Sequence, residues 1–466
     1  MFKYTAIFMI FLLSSCAIRE EYQKEEIISD NSVKETLNLN NKNESISKEW
    51  YKIFNDEDLN TLLFSVYKTN LDIKQNIEKL KQARYSYLIN SKEYFPMIDG
   101  GGIYSYSKTN GKNSPLSVDT NDFKAGFDVS WEIDIWGKGK ALSKQYMELV
   151  NSAKFSLFDT HVLITFEVIN NYTNLRLNQE KLRIAKNNQK LQEDILDIVT
   201  NKYNNGVADE LALNQAKHSL ELVKSSIPEI KTNINKYKNA LHLLLGVEPK
   251  NLPINLDKFS KNITAKTFKY NVQNLYNIRL DTIRTRPDIR MAEAEILSQN
   301  EVVNQSIIDL YPTLNLGASL GFISSSLGDL FNTEVLGYTP QIMTPIWHWG
   351  KLKNNIELQK HIKEEYIITY NKAMLSALLD LKNSIYLIEE SYKANTSYKK
   401  ALDDMRNIFY ITLDKYKNGL IEFSDLANAE QDYLSAQNTF VQSNANILQG
   451  IALFYKATGG GYNFCD

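Results

Sequence analysis

Cysteine is nearly absent. Only Cys16 and Cys465 carry thiols in 466 residues, which excludes a disulfide-stapled scaffold and a thiolate metal centre. An excess of either charge is missing as well. With 53 Lys+Arg against 55 Asp+Glu the net charge is −2, so the cationic surplus that holds nucleic-acid phosphates is lacking. His161, His218, His242, His348 and His361 are scattered without an i, i+4 pair, and metal-ligand spacing fails. Gly100-Gly101-Gly102 is not followed by Gly-Lys-Ser/Thr, which rules out a phosphate loop there. Gly459-Gly460-Gly461 reads as a helix cap and tail, and Glu389-Glu390 and Asp403-Asp404 as solvated helix faces. Neither an enzyme nor a bound cofactor is expected. Proline (9) and glycine (19) are scarce, which favours long uninterrupted helices. A 43% hydrophobic content can bury a core.

The chain opens with a positive Met1-Phe2-Lys3, an apolar run from Tyr4 to Leu13, and Leu13-Ser14-Ser15-Cys16. This is the form of a secretory signal, and the run is too short to span a membrane, which takes about 20 residues. Cys16 after Leu-Ser-Ser resembles the lipobox of bacterial lipoproteins. That reading makes 1–15 a signal peptide, Cys16 the acylated first residue, and 16–48 a lipidated linker. An ordinary signal with an incidental cysteine is the alternative. Ala17, not Asp, after the cysteine suits outer-membrane sorting.

The rest of the chain is written twice. Asn70-Leu71-Asp72-Ile73 answers Arg286-Pro287-Asp288-Ile289, and Tyr94-Phe95-Pro96 answers Leu310-Tyr311-Pro312, each 216 residues on. Trp136-Gly137-Lys138 answers Trp349-Gly350-Lys351 at 213. Lys202-Tyr203-Asn204-Asn205-Gly206 answers Lys415-Tyr416-Lys417-Asn418-Gly419, and Leu245-Gly246 answers Thr458-Gly459, at the same offset. Landmarks in one order at near-constant spacing mean a duplicated domain, with copies over 49–250 and 281–459, a linker at 251–280 and a tail at 460–466.

Within each copy a helical lead (Asn60 to Ser91; Pro287 to Ile308) stops at Phe-Pro or Tyr-Pro, and strand-like sequence follows. Phe123, Ala125, Phe127, Val129, Trp131, Ile133 and Ile135 alternate with polar residues and glycine in strict period two. Leu314, Leu316, Ala318, Leu320 and Phe322 alternate likewise, and a return strand over Tyr338 to Trp347 alternates less well. After each Trp-Gly-Lys, Lys138 to Tyr203 and Lys351 to Tyr416 read as helices of 66 residues, about 100 Å each at 1.5 Å per residue. A Tyr-x-x-Gly turn then reverses each chain into a return helix, Asp209 to Leu245 and Ile421 to Gln449. Hairpins so long and thin must pack on each other and on further subunits. The alternating strands fit a membrane barrel, with Trp131 and Trp136 at the interface, or a soluble sheet with one wet face. The secretory signal favours the barrel, and four strands per chain require several subunits to close one.

Glu49-Trp50-Tyr51-Lys52-Ile53-Phe54-Asn55-Asp56 followed by Asn70-Leu71-Asp72-Ile73 resembles the opening of outer-membrane efflux channels of the TolC and OprM type. Arg286-Pro287-Asp288-Ile289-Arg290-x-Ala292-Glu293 is similar to the lipoprotein branch of that family. Ile227-Pro228-Glu229-Ile230, Asn239-Ala240-Leu241-x-Leu243-Leu244-Leu245-Gly246 and Pro345-Ile346-x-x-Trp349-Gly350 extend the likeness from about Trp50 to Gly459. The resemblance implies a mainly α fold with a membrane β-barrel portion. Long helical hairpins would form a trimeric α-barrel, and four strands per protomer would contribute to a 12-stranded barrel. It implies a homotrimer in the outer membrane, a periplasmic adaptor protein, and an inner-membrane pump of the resistance-nodulation-division (RND) type. The chain would then be the passive exit duct of a tripartite exporter of drugs and small toxic compounds. Tyr203, Gly206, Tyr416 and Gly419 match the family's periplasmic tip, where the adaptor docks and the tube closes.

The family's acidic residue six positions beyond each tip glycine is present as Asp425 in the second copy. It is Ala212 in the first, with Asp209 and Glu210 nearby. Asn428 stands where some relatives carry a second Asp. Three copies of Asp425 around a trimer axis would form a carboxylate ring favouring cations; an exposed carboxylate at a helix N-terminus is the plain alternative. Three other functions stay in view. One is the duct of a type I protein-secretion system, and another is a carrier of metal cations, which 8 Met and 5 His without clustering do not support. The third is a lipid-anchored coiled-coil scaffold without a pore, against which the strand at Phe123 to Ile135 argues.

Overall fold

The computed structural model describes residues 22, 47–110, 117–248, 254–257 and 282–462. The signal segment, Cys16 and Cys465 lie outside them. After a 3-10 turn at Trp50–Phe54 come helices α1 (Glu57–Thr69) and α2 (Leu71–Asn90), strands β1 (Met97–Asn110) and β2 (Ser117–Ile133), and helices α3 (Lys138–Asn204) and α4 (Glu210–Leu245). The second copy follows as α5 (Pro287–Ile308), β3 (Thr313–Ser324), β4 (Glu334–Met343), α6 (Lys351–Lys417) and α7 (Phe423–Ala457).

The expected single lead helix is two. Asn70 takes extended backbone (ψ 133) and closes α1. Its Oδ1 accepts from Ile73 N at 2.9 Å to start α2, while its Nδ2 donates to Leu244 O at 2.7 Å. A residue that caps one helix and ties down the end of another cannot also continue a helix. In the second copy Arg286 makes the same tie: Nη1 donates to Ala457 O at 2.9 Å, and Nε and Nη2 grip Asp288 at 3.0 and 2.7 Å. The motif that carries the family resemblance is thus a structural clamp. The last helix also runs on to Ala457, past the expected Gln449, because Gly450 lets Leu387 and Ile388 approach the helix closely. The return strand β4 lies earlier than expected, ending at Met343 before Pro345, whose ring removes a ladder donor.

The chain divides into two compact units. One takes in 79–154 and 291–370, the other the described residues within 26–78, 155–290 and 371–466. The first unit is built around an antiparallel sheet in the order β1-β2-β3-β4. Its register repeats the duplication residue for residue, since Met97↔Ser130 in the first hairpin becomes Thr313↔Met343 in the second. One face carries Ile98, Tyr104, Phe123, Phe127, Val129, Trp131, Leu316, Leu320, Leu336, Tyr338 and Ile342. The other carries Asp99 opposite Asp128, then Lys124, Glu132, Asn315, Ser319, Gln341 and a run of glycines. Phe127, Leu320, Leu336, Tyr338 and Ile342 are exposed. An apolar sheet face of this size needs lipid or a partner to cover it. Among the described residues no helix is long and apolar enough to cross a membrane.

The sheet joins its helices through an aromatic knot. Trp131 Nε1 donates to Tyr94 O at 3.0 Å, and Trp136 Nε1 to Pro312 O at 2.7 Å, its ring 5.1 Å from that of Tyr311. In the second unit the main core gathers Trp50, Leu59, Leu62, Leu63, Val66, Val168, Tyr172, Leu175, Leu241 and Leu245, with Trp50 stacked on Tyr455 at 4.3 Å. Asp56 caps α1 through Leu59 N and accepts from the buried Tyr172 hydroxyl.

Candidate channel tip

The two long helices end alike. At the close of α3, Val207 N donates to Lys202 O at 2.8 Å and Gly206 N to Tyr203 O at 2.9 Å. At the close of α6, Leu420 N donates to Lys415 O and Gly419 N to Tyr416 O, both at 3.0 Å. This paired pattern is a Schellman stop, and it needs a left-handed residue just past the helix. Gly206 (φ +70) and Gly419 (φ +71) supply it. The Asp209 carboxylate then caps α4 through Ala212 N at 2.8 Å, whereas Glu422 at the start of α7 makes no such bond.

A small apolar core holds the turns together: Ile195, Val199, Ala212, Ala216, Phe409, Leu413, Tyr416, Phe423 and Leu426. Both turns line one groove of about 530 Å³, among whose walls are Lys202, Val207, Asp209, Leu211, Tyr416 and Phe423. Lys202 crosses it. Its Nζ donates to Tyr416 O at 2.5 Å and lies 4.6 Å from the centre of the Tyr416 ring.

The two turn tyrosines are not equivalent. Tyr203 is 39% exposed, while Tyr416 is 5% exposed and packs edge-on against Phe423 at 5.7 Å. The Tyr416 hydroxyl has no hydrogen-bond partner, and burial, then the nearby Asp209 carboxylate, raises its pKa. Val207, Leu211 and Leu420 are exposed around the groove. Asp425 and Asn428 both lie exposed on α7, while Leu426 and Ala429 face inward. Ala212, the first-copy counterpart of Asp425, is buried in the core that holds the turns, where a carboxylate would lose its water.

Glu430 escaped the sequence reading. It is 2% exposed and lines a cleft of about 480 Å³ between α3, α4 and α7. Its Oε1 and that of Gln192 lack partners, and burial lifts its pKa to about 7 against a smaller lowering by Gln192. The available signal was a glutamate in step with Phe423 and Leu426 on an otherwise apolar stripe. Among the described residues no group of three or more His, Cys, Asp or Glu could hold a metal ion.

A sheet with one apolar and one polar face, joined to long helical hairpins that stop in paired turns, is the build of an outer-membrane channel subunit. Residues 63–247 and 281–460, one stretch from each copy, match the outer membrane efflux protein family, and the chain belongs to that family. It is 22% identical over 461 residues to the cation efflux system protein CusC of Escherichia coli O157:H7, covering 97% of this chain and 96% of CusC. Against the solvent efflux pump outer membrane protein SrpC of Pseudomonas putida it is 24% identical over 426 residues, covering 90% and 87%. The Campylobacter jejuni CmeC outer membrane channel has the same fold, with a TM-score of 0.87 at 24% identity over 97% of this chain and 96% of CmeC. The family and these relatives are channel proteins, and the chain is an efflux channel of the outer membrane.

Proposed function

We propose that three copies of this chain form one conduit. Each would add its four strands to a closed barrel, and the helical hairpins would continue the duct into the periplasm. Cys16 would anchor each copy through acyl chains. The paired turns would be the docking surface for a periplasmic adaptor, with Tyr203, Gly206 and Gly419 exposed to it and Tyr416 bracing it from within. Asp425, with Asn428 one turn on, would ring the constriction. The observation that carries this reading is the groove that both turns share, closed by Lys202 reaching from one hairpin to the Tyr416 carbonyl of the other. An adaptor that displaced Lys202 would free the hairpins to part.

The cargo reading is small toxic compounds, driven by an RND-type pump. The relatives' names include cations, solvents and pyoverdine, which suits a generic lining with selection made at the pump. A photoreactive residue at the exposed Asn418, crosslinked in intact cells and read by mass spectrometry, tests the docking surface. Capture of an adaptor together with an RND pump is expected. An adaptor from an ATP-driven exporter would move the cargo to proteins or peptides, and no adaptor from a reactive label would overturn the tip assignment.

A further inference from the structure

The connection between β3 and β4 holds a 3-10 turn, Leu327–Asn332. A loop at the outer end of a barrel is expected to be polar and to stand in water or fold over the mouth. This one is amphipathic. Leu330 is buried, while Leu327 (66%) and Phe331 (73%) are exposed. The polar pair beside them is satisfied within the turn, Asn332 Nδ2 donating to Asp329 Oδ1 at 3.0 Å. We infer that the turn is a collar lying in the outer leaflet of the membrane, with Leu327 and Phe331 among the acyl chains and Asp329 and Asn332 at the level of the headgroups. The inference rests on the barrel proposed above and adds a lipid contact made outside the strands.

The direction in which the turn leans decides between lipid and mouth. Phe331 packs edge-on against Phe322, their ring centres 5.2 Å apart. Phe322 stands opposite Ala125 and in step with Leu320 opposite Phe127, so it belongs to the apolar face. The turn packs on β2 as well as on β3, which lays it over the sheet and not beyond the strand ends. A cover for the mouth would have to lean the other way, over the face that carries Lys124 and Ser319. Leaning over β2 also takes the turn away from the free edge of β4, where another protomer would join.

The register shows what the turn supplies. On the first hairpin Tyr104 stands opposite Phe123, with the rings 4.7 Å apart. Carried across to the second hairpin, that row meets Ser324, and the β3–β4 ladder stops one row further in, at Phe322 opposite Glu334. The second hairpin thus reaches the rim with a serine and a glutamate where the first has two aromatics. Phe331 over Phe322 restores an aromatic pair there, and the aromatic belt that marks a membrane interface runs on across the sheet. The backbone suits the same setting. Asp329 N donates to Ser326 O at 3.3 Å, Ser326 N to Ser324 Oγ at 3.2 Å and Ile323 N to Thr333 O at 3.1 Å, so donors that lipid cannot serve are met within the chain. Exposed apolar side chains continuous with a lipid-facing surface are placed to meet lipid themselves.

The test uses the full-length chain with Cys465→Ser in liposomes, the same chain without an added cysteine giving the background. A nitroxide is attached to Phe331→Cys, to Phe127→Cys on the apolar face of the strand, and to Asp128→Cys on its polar face. Relaxation by oxygen, which partitions into lipid, is compared with relaxation by a water-soluble nickel chelate. Oxygen should exceed nickel at Phe331→Cys as it does at Phe127→Cys, and the order should reverse at Asp128→Cys. Nickel in excess at Phe331→Cys with oxygen in excess at Phe127→Cys would overturn the collar and leave the barrel standing. Nickel in excess at Phe127→Cys would overturn both. Leu327→Cys, which keeps the contact of Phe331 with Phe322, gives a second reading should the first variant fold poorly. Independently, Phe331→Ser should leave single-channel conductance unchanged, because the turn stays off the mouth. A larger conductance would place the turn in the lumen and refute the inference.

Discussion

Moving a lysine by one residue along β2 should separate the two faces of the sheet. Phe127 lies well inside the strand, opposite Gly100 on one side and Leu320 on the other. It is exposed, and its ring lies over Gly100, 3.2 Å from where a Cβ would sit. On a barrel this face meets lipid, where a lysine near the bilayer midplane costs about 2–4 kcal/mol. Three copies raise that to about 6–12 kcal/mol per trimer, comparable with the whole stability of a small domain. Asp128, the next residue, points the other way and stands opposite Asp99. A lysine there faces the lumen and replaces a like-charge pair with an opposite-charge one, so it costs nothing and should favour the fold slightly. Urea titration of trimers reconstituted in liposomes, read by heat-modifiability, measures both. Phe127→Lys should fail to assemble or unfold at much lower urea, while Asp128→Lys should match the parent and shift ion selectivity toward anions. A Phe127→Lys trimer as resistant as the parent, or loss of Asp128→Lys from the membrane, would refute the assignment of faces.

Three further outcomes follow from buried or bridging groups. Glu430, raised from 4.5 to about 7, holds its proton more tightly folded than unfolded. Stability should therefore be full below about pH 4.5 and fall as pH rises to about 7, by up to about 3 kcal/mol per chain. Glu430→Gln should flatten that slope and be the more stable protein at pH 8 but not at pH 4.5, as read by denaturant unfolding at each pH. Lys202→Met removes the bridge to the Tyr416 carbonyl. It should cost about 1 kcal/mol and admit large antibiotics that the parent excludes, measured as a lowered inhibitory concentration. Arg286→Leu strips partners from Asp288 and from the Ala457 carbonyl; a loss of about 2–4 kcal/mol is expected, seen as a lower midpoint in urea.

Much of this fold was legible because its signals are local and written twice. Strict alternation from Phe123 to Ile135 gave the strand and its faces, two residues past its observed end at Ile133, and scarce proline and glycine gave helices that start at Lys138 and Lys351 as observed. The turns were legible because a left-handed stop favours glycine. Features that rest on tertiary contact were not legible. Asn70 breaks the lead helix because its amide reaches Leu244 from far along the chain, and nothing in its neighbours signals that. The return helix expected to stop at Gln449 runs on through Gly450 to Ala457, because Leu387 and Ile388 of another helix pack close against that glycine. At the paired turns, spacing matched Tyr203 with Tyr416 and Ala212 with Asp425, but only packing separates an exposed member from a buried one.

Single-channel recording of purified wild-type protein and of Asp425→Ala with Lys202→Met, each as heat-modifiable trimers in a planar bilayer, tests the central claim most directly. A continuous duct narrowed at its tip should give small cation-selective steps in the wild type and larger, less selective ones in the variant. Trimers that insert and remain electrically silent in both would contradict a duct, and equal conductance in both would contradict the gate.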